Sequence, residues 1–249
     1  MSRTYQYGLS NNNPAMFDIV ARERKARTMV AVLEDFIQAP LGGLSLLDVG
    51  GSTGIIDNYL SGCFGKVIGI DIDDAAIQYA AETHRKTNLD FRVADALNLP
   101  FSDESFDVVI CSQIYEHVPD PVRMFEEIFR VLKQGGVCYF AANNRLALNE
   151  PHYDLPFLSL LPRPMAHVYL RLSGKGSHYY EEHLSYWGLK TLTKRFRRID
   201  YTLKTVFEPE KYFTDYMIRP GSLRAIAARF VLRYFYWASP AYIWLLQKP

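Results

Sequence analysis

Two short apolar runs, each ending at an acidic residue, constrain the fold of this chain more than any other feature. The first covers 46–49, includes Asp48 and leads into a glycine-rich turn at 50–54, and the second ends at Asp71. Continuous apolar runs are typical of parallel strands buried on both faces. Glycines after such a strand let the backbone turn sharply and approach a ligand closely. An acid after the next strand can accept hydrogen bonds from ribose hydroxyls, so the two runs predict a nucleoside-cofactor site.

The spacing of the turn indicates which nucleoside cofactor it suits. Position 55 is isoleucine, where the dinucleotide fingerprint requires its third glycine, and no Gly-Lys-Ser/Thr of a P-loop follows. The pattern Asp48-x-Gly50-x-Ser52-x-Gly54 instead resembles motif I of the class I S-adenosylmethionine (SAM)-dependent methyltransferases, with Ser52 in place of the middle glycine. SAM carries an ammonium group and no phosphate, so an acid beside the loop suits it better than it suits a pyrophosphate.

Three further segments resemble later motifs of the same family. Residues 91–101 are similar to its third-strand motif, 105–120 to its fourth strand and the following loop, and 131–144 to its helix, Gly-Gly turn and fifth strand. The four motifs follow one another in the family's order, and the resemblance extends over about 45–145. It implies SAM as the cofactor and S-adenosylhomocysteine as the product.

The resemblance also implies roles for individual residues. Asp71 would hold both ribose hydroxyls, with Asp73 as the fallback and a helix-capping role for Asp71 as the structural alternative. Asp95 would bind the adenine amino group, next to the backbone N–H of Ala96. The other implied cofactor-binding residues lie under the methionine moiety or beside the sulfonium, and are Asp48, Gly50, Ser52, Gly54, Ser112 and Gln113.

Strands and helices alternate along the chain, which predicts an α/β fold. The expected architecture is a doubly wound, mostly parallel, Rossmann-like sheet with its ligand at the carboxyl ends of the strands. After this core, 197–207 and 241–248 predict two more strands and 183–196 a helix. The core strands are predicted near 44–49, 66–71, 89–93, 107–112 and 136–142, and the helices near 14–38, 53–62, 74–86 and 121–132.

The chain is interpreted as one methyltransferase domain, 1–249. Its parts are an N-terminal arm and helix (1–40), a SAM-binding core (41–144), an inserted substrate cap (145–185) and a C-terminal part with a basic helix (186–249). Within the arm, Tyr5–Asn13 is interpreted as a flexible arm or lid. Prolines and glycines predict that the cap is irregular rather than helical, although its aromatic content is too high for disorder.

Few catalytic side chains are needed for methyl transfer, because the cofactor supplies the activation. His152, after the fifth strand, could deprotonate a hydroxyl, or it could only form hydrogen bonds within the cap. His117 is a second catalytic candidate, although a structural role is favoured for it. Tyr153, Asn143 and Glu116 are candidates for binding the acceptor. No cluster of ligands at metal-binding spacing occurs, so no catalytic metal is expected.

Charge and cysteine content bear on other functions. The formal net charge of +1 gives no electrostatic case for a nucleic-acid partner. The three cysteines are interpreted as reduced thiols. The sequence shows neither an apolar leader peptide nor an apolar stretch long enough to span a membrane, so a cytoplasmic protein is expected. From Lys190 to Arg233 the sequence contains eleven Lys/Arg residues but only four Asp/Glu residues, so this region is basic. Within this region, 222–238 is interpreted as a helix packed on the sheet, or as an amphipathic helix in peripheral contact with a membrane.

These patterns together predict a SAM-dependent methyltransferase that acts on a small-molecule or lipid-linked glycan acceptor. Aromatic and histidine side chains in the cap suit a hydroxyl of a sugar, phenol or polyketide. The cap also loosely resembles methyltransferases of bacterial glycan and natural-product pathways. The alternatives are an N-methyltransferase of a small amine and a non-catalytic SAM-binding regulator. The sequence leaves the oligomeric state open.

Overall fold

The strands lie close to where the apolar runs predict them. The computed structural model describes residues 14–249, so the predicted arm at Tyr5–Asn13 lies outside the described residues. The nine strands are β1 (Ser45–Val49), β2 (Lys66–Asp71), β3 (Leu89–Val93), β4 (Phe106–Ser112), β5 (Leu132–Asn143), β6 (Asn149–Glu150), β7 (Leu155–Pro156), β8 (Arg197–Asp200) and β9 (Ala241–Gln247).

Seven of these strands form one sheet in the order β3-β2-β1-β4-β5-β9-β8. β9 runs antiparallel to both of its neighbours, and the other pairings in the sheet are parallel. The strand order reverses between β1 and β4, which is the switch point where open α/β sheets bind ligands. The predicted α/β, mostly parallel, Rossmann-like fold is therefore confirmed.

Five of the eight helices described for residues 14–249 begin at a side-chain cap of the expected kind. Asp18, Asp73 and Asp120 each accept a backbone N–H three residues later, and Ser185 and Ser222 do the same. Within the described part of the chain the α-helices are α1 (Ile19–Ile37), α2 (Ile55–Leu60), α3 (Asp74–Thr83), α4 (Pro121–Val131), α5 (Arg163–Leu172), α6 (Tyr186–Leu192), α7 (Thr202–Phe207) and α8 (Leu223–Tyr234).

Both faces of the sheet are buried, as the continuous apolar runs require. Neighbouring residues on β1, Leu46 and Leu47, point into different clusters. Leu46 packs with residues of α1 and α2, including Leu33, whereas Leu47 packs with residues of α4 and α6, including Phe125. This two-sided core fixes the carboxyl ends of β1, β2 and β4 at one edge of the molecule.

Two sequence predictions of secondary structure are wrong. The cap is not irregular throughout, because Arg163–Leu172 forms α5. Pro164 is tolerated there because it lies in the first turn, where a backbone N–H has no helical partner. The expected strand at 197–207 is also only half right, since β8 ends at Asp200 and Thr202–Phe207 is helical.

The two ends of the inserted segment, at Arg145 and Leu184, lie next to each other. The N–H of Arg145 donates to the carbonyl of Leu184 at 3.0 Å. The buried Tyr115 hydroxyl donates to the Asn143 carbonyl at 2.8 Å and accepts the Leu184 N–H at 3.0 Å. Between these ends the segment has a small core of its own, made by Leu155, Leu158, Ala166, Leu170 and Tyr179.

The C-terminal helix α8 does not turn its apolar stripe toward the sheet. Leu223, Ile226 and Phe230 are 85%, 61% and 55% exposed, while Ala225 and Leu232 are buried. The sequence interpretation in which this stripe packs inward is therefore wrong. Within residues 14–249, no helix has both the length and the apolar character needed to cross a bilayer.

Candidate active site

A cavity of about 500 Å³ opens at the carboxyl ends of β1, β2 and β4. Its volume lies within the usual range for small-molecule sites. One wall comes from α1 and the turn before it, and the opposite wall reaches the start of the cap. Among the residues predicted from sequence, those lining the cavity are Asp48, Gly50, Ser52, Asp71, Asp73, Ala96, Ser112, Gln113, His117, Asn143 and His152.

The loop after β1 is shaped by two glycines and one serine. Gly50 has φ +87°, and a Cβ there would come within 2.2 Å of the Ile114 side chain. Gly54 has φ +73°, and a Cβ there would clash with Phe91. Ser52 adopts φ +51°, a left-handed conformation that explains why glycine is usual at its position in the motif.

The helix-capping role that the sequence allowed for Asp71 belongs to Asp73, and the ribose role of Asp71 stays a prediction. Asp73 caps α3 by accepting the Ala76 N–H at 3.4 Å. The Asp71 carboxylate accepts the N–H groups of Ser52 and Asp73, each at 3.0 Å, and so ties the first loop to the end of β2. Because each carboxylate oxygen can accept a second hydrogen bond, Asp71 can still bind a diol.

A pair of buried carboxyl groups lies beneath the loop. Asp48 is 4% exposed and Asp57, in α2, is fully buried. Burial raises the pKa of Asp48 to about 7, and burial together with the neighbouring Asp48 raises the pKa of Asp57 well above its ordinary value. The pair therefore retains a proton near neutral pH. The Arg22 guanidinium opposes both rises in pKa.

This retained proton leads to a stability prediction for the unliganded protein. An unfolded chain releases it near pH 4, whereas the folded protein keeps it up to about pH 7. The free energy of unfolding should therefore fall as the pH rises from about 4 to about 7. Asp57→Asn should reduce this fall, measured by urea unfolding at a series of pH values. The exposed Asp74→Asn is the control, and equal pH slopes in both variants would contradict the assignment.

Two cations from α1 line the cavity, and the sequence motifs did not indicate either of them. Arg22 lies among the carboxyls of Asp48, Asp57 and Asp71, and burial lowers its pKa. The Lys25 ammonium donates to the Gln113 side chain at 3.2 Å, and that side chain donates to Asn143 at 3.4 Å. This chain of contacts joins α1 to the ends of β4 and β5 across the cavity.

At the cap side of the cavity, Glu150 holds two histidines. Its carboxylate Oε1 accepts His152 Nδ1–H at 2.7 Å and His183 Nε2–H at 3.0 Å. A carboxylate is an acceptor only, so both ring nitrogens must donate, which leaves Nε2 of neutral His152 as a proton acceptor. Burial opposes ionisation of Glu150, but the bonds from the two histidines outweigh it and lower its pKa to about 2.

The same contacts set the protonation of His152 and His117. Burial alone would lower the pKa of His152, but the bond and charge of Glu150 outweigh it and raise this pKa. Burial and the neighbouring histidines instead lower the pKa of His117 to about 3, so His117 is neutral at physiological pH. The two rings lie 5.0 Å apart, edge to face. His152 is therefore the better placed of the two to exchange a proton.

Glu116 is buried beside this cluster. Burial raises its pKa, although His183 and His152 oppose the rise, and neither carboxylate oxygen has a hydrogen-bond partner among residues 14–249. Glu116, His117 and His152 offer ligand atoms within 4.8 Å of one another, as do Glu150, His152 and His183. Both spacings would accommodate a metal ion, so the absence of a catalytic metal stays a prediction.

Some predicted site residues do not line the cavity. Gly54 caps α2, and the Asp95 carboxylate accepts the Leu97 N–H at 2.8 Å beside the cavity-lining Ala96. Glu116 is buried and does not line the cavity, and Tyr153 packs against Tyr179 in the core of the cap. Their assigned roles in binding cofactor or acceptor stay predictions.

Comparison with known proteins agrees with this geometry. Residues 47–140 match the family model described as a methyltransferase domain. The chain is 36% identical over 130 residues to a demethylmenaquinone methyltransferase from Lactococcus lactis, covering 49% of this chain and 52% of that protein. It is 32% identical over 147 residues to a ubiquinone biosynthesis O-methyltransferase from Thiobacillus denitrificans, covering 57% and 59%. The matches thus span a little over half the length of these relatives.

Two solved structures share the fold. A SAM-dependent methyltransferase from Methanosarcina mazei has a TM-score of 0.53 at 21% identity, covering 83% of this chain and 93% of that one. A geranyl diphosphate C-methyltransferase from Streptomyces coelicolor, determined with S-adenosyl-L-homocysteine, has a TM-score of 0.53 at 18% identity, covering 90% and 76%. At these identities the likeness is one of fold.

Proposed function

We propose that this protein transfers a methyl group from SAM to a hydroxyl of a small-molecule or lipid-linked acceptor, since residues 47–140 match a methyltransferase-domain model and the chain shares its fold with a SAM-dependent methyltransferase. The observation that carries the proposal is one continuous cavity. It is lined at one end by the acids and loops of the motifs and at the other by His117 and His152. The acceptor hydroxyl would be that of a sugar, phenol or polyketide.

The residues along the cavity fit the groups of SAM. The Asp71 carboxylate has acceptor capacity for ribose hydroxyls, and Ala96 lines the wall expected to meet adenine. Arg22 offers a guanidinium to a carboxylate, while Asp48 offers an acidic group to an ammonium. When bound, SAM supplies a methyl group already activated on a sulfonium. The protein itself has to orient the acceptor and remove its proton.

Arg22 leads to a test of the orientation of the cofactor. Arg22→Met should weaken SAM binding by about 1.5–3 kcal/mol, since it removes hydrogen bonds to a charged group. Binding of 5′-methylthioadenosine, which lacks the amino-acid end, should hardly change. Isothermal titration calorimetry with both ligands measures this difference, and Arg27→Met, exposed on the same helix, is the control. Equal losses for the two ligands would place Arg22 elsewhere than at the amino-acid end.

His152 is the proposed general base. Glu150 fixes its ring and its tautomer, so that Nε2 can take the proton of a hydroxyl acceptor as the methyl group is transferred. His117, neutral and in edge-to-face contact with His152, is proposed to position that ring and the acceptor. Asn143 lines the cavity between these residues and Gln113 and is proposed to contact the acceptor.

The experiment that tests the function uses methyl-labelled SAM and a panel of acceptors. Phenols, sugars and polyprenyl-linked glycans supply hydroxyls, and small amines represent the N-methyltransferase alternative. We expect label on hydroxyl acceptors only, with the rate unchanged by a metal chelator. Label on amines alone would overturn the proposal of O-methylation. Tight SAM binding without any labelled product would favour the regulator.

A further inference from the structure

The exposed surface around α8 has the features of a membrane-contacting helix. On α8, Leu223, Ile226, Phe230 and Tyr234 recur at helical spacing and are between 55% and 85% exposed. Next to them, Phe235 and Trp237 are also exposed, and Trp237 stacks on the exposed Trp187 with ring centroids 5.7 Å apart. We call these seven residues the α8 patch. Contiguous apolar surface of this kind marks a site of interaction.

The helix is anchored by its opposite face, so the patch is a fixed feature of the fold. Ala225 and Leu232 are buried. Arg229 donates to the Phe207 carbonyl at 3.1 Å, and its guanidinium lies 5.4 Å from the centre of the Phe207 ring, which joins α8 to α7. The Ser222 side chain caps the helix by accepting the Ala225 N–H. These contacts hold α8 with its large apolar side chains directed outward.

The charge of the residues around the α8 patch limits which kind of partner can cover it. From residue 216 to the last residue, 249, the sequence contains four arginines and one lysine and neither aspartate nor glutamate. Arg229 and Arg233 are exposed on the same helix as the patch. A second copy of the chain packed through a two-fold axis would bring these arginines together without acids from this segment to neutralise them. An anionic lipid surface supplies the missing negative charge.

We propose that the α8 patch docks the protein on an anionic membrane surface. Leucine, isoleucine and phenylalanine side chains would enter the boundary between head groups and acyl chains, and α8 would lie in the plane of the interface. The tryptophans and tyrosine suit that depth, because each combines an apolar ring with a polar tip. The arginines would remain level with the phosphate groups. This inference does not depend on the identity of the methyl acceptor.

Vesicle co-sedimentation tests the proposal with the full chain. We expect binding to phosphatidylcholine vesicles that contain phosphatidylglycerol, much weaker binding to phosphatidylcholine alone, and weaker binding at high salt. Ile226→Asp/Phe230→Asp should lower the partition coefficient at least about tenfold. Arg219→Gln/Arg233→Gln should lower binding to the anionic vesicles while leaving the patch intact.

Leu172→Asp provides a matched control. Leu172 is 83% exposed at the end of α5, outside the α8 patch and the cavity lining, and its substitution should leave vesicle binding unchanged. Circular dichroism melting checks that each variant is folded, and SAM binding should be the same in all of them. Equal vesicle binding by the Ile226/Phe230 variant would overturn the proposal. A second outcome would also overturn the proposal. In it, the wild type does not bind vesicles but forms a dimer in ultracentrifugation, and the Ile226/Phe230 variant disrupts that dimer.

Discussion

Replacing His152 with alanine should lower kcat for a hydroxyl acceptor by roughly 10²–10⁴-fold, the usual contribution of a positioned base. His152 lines the cavity, and its ring is held through Nδ1 by the buried Glu150. SAM binding measured by calorimetry should stay nearly unchanged, because the cofactor loops lie at the other end of the cavity. The loss should therefore appear in turnover and not in affinity for the cofactor.

Glu150→Gln gives this prediction a pH signature. The base must be neutral, so the rate should rise with pH through the pKa of His152, which lies above its ordinary value. A glutamine removes the negative charge that raises this pKa, so the rising limb of the pH–rate profile should move to lower pH. A residue that only supported the fold of the cap would change the rate without moving the limb.

His178→Ala is the control for both variants, since His178 is an exposed histidine of the same cap. It should retain the wild-type rate and pH profile. Full activity of His152→Ala on a hydroxyl acceptor would remove His152 as the base. Full activity on an amine together with loss on a hydroxyl would instead support the role of the base, because an amine is a nucleophile without proton abstraction at alkaline pH.

Asp71→Ala should produce the largest loss of cofactor affinity. The carboxylate has room to accept two ribose hydroxyls, and losing such charged hydrogen bonds should cost about 2–4 kcal/mol. This corresponds to roughly 30- to 1,000-fold in Kd, measurable by calorimetry. Part of the loss would come from the loop, because the same carboxylate holds the N–H groups of Ser52 and Asp73.

Asp71→Asn separates these contributions, since an amide oxygen can still accept one hydrogen bond from a backbone N–H but lacks the charge. Asp74→Ala removes an acid three residues later that is exposed on α3, and it should bind SAM like the wild type. If Asp71→Ala binds SAM as tightly as Asp74→Ala, the cofactor does not lie where the motifs indicate.

The sequence predicted the parallel core well because its signals are local. β2 is a continuous apolar run that ends at an acid, whereas β3 alternates apolar and charged residues, and both strands have the predicted bounds. Helix faces were predicted less reliably. Val122 fits the apolar spacing of α4 but lies in its first turn and is 58% exposed, since the sheet begins to cover the helix only further along.

What the sequence could not predict depends on contacts between distant segments. Arg22 lies in an ordinary helix and gains a site only because α1 crosses the ends of β1 and β2. His183 is 33 residues away from Glu150 in the sequence, and only the folded cap brings their side chains to 3.0 Å. Periodicity likewise could not predict whether the apolar face of α8 points to the sheet or to solvent, because it identifies an apolar face but not what covers that face.

Because the inserted segment leaves and rejoins the core at one point, clasped by Tyr115, its interior can change without altering the register of the sheet. Leu158 and Leu170 belong to the separate core of the segment and do not line the cavity, so their replacement should leave the loops after β1 and β2 in place. Under the proposed function, acceptor preference can therefore diverge in descendants of this chain while the methyl donor stays the same. A transplant of the segment into another sheet of this order, joined at the two clasped ends, would carry Glu150, His152 and His183 with it but would leave His117 and Asn143 behind.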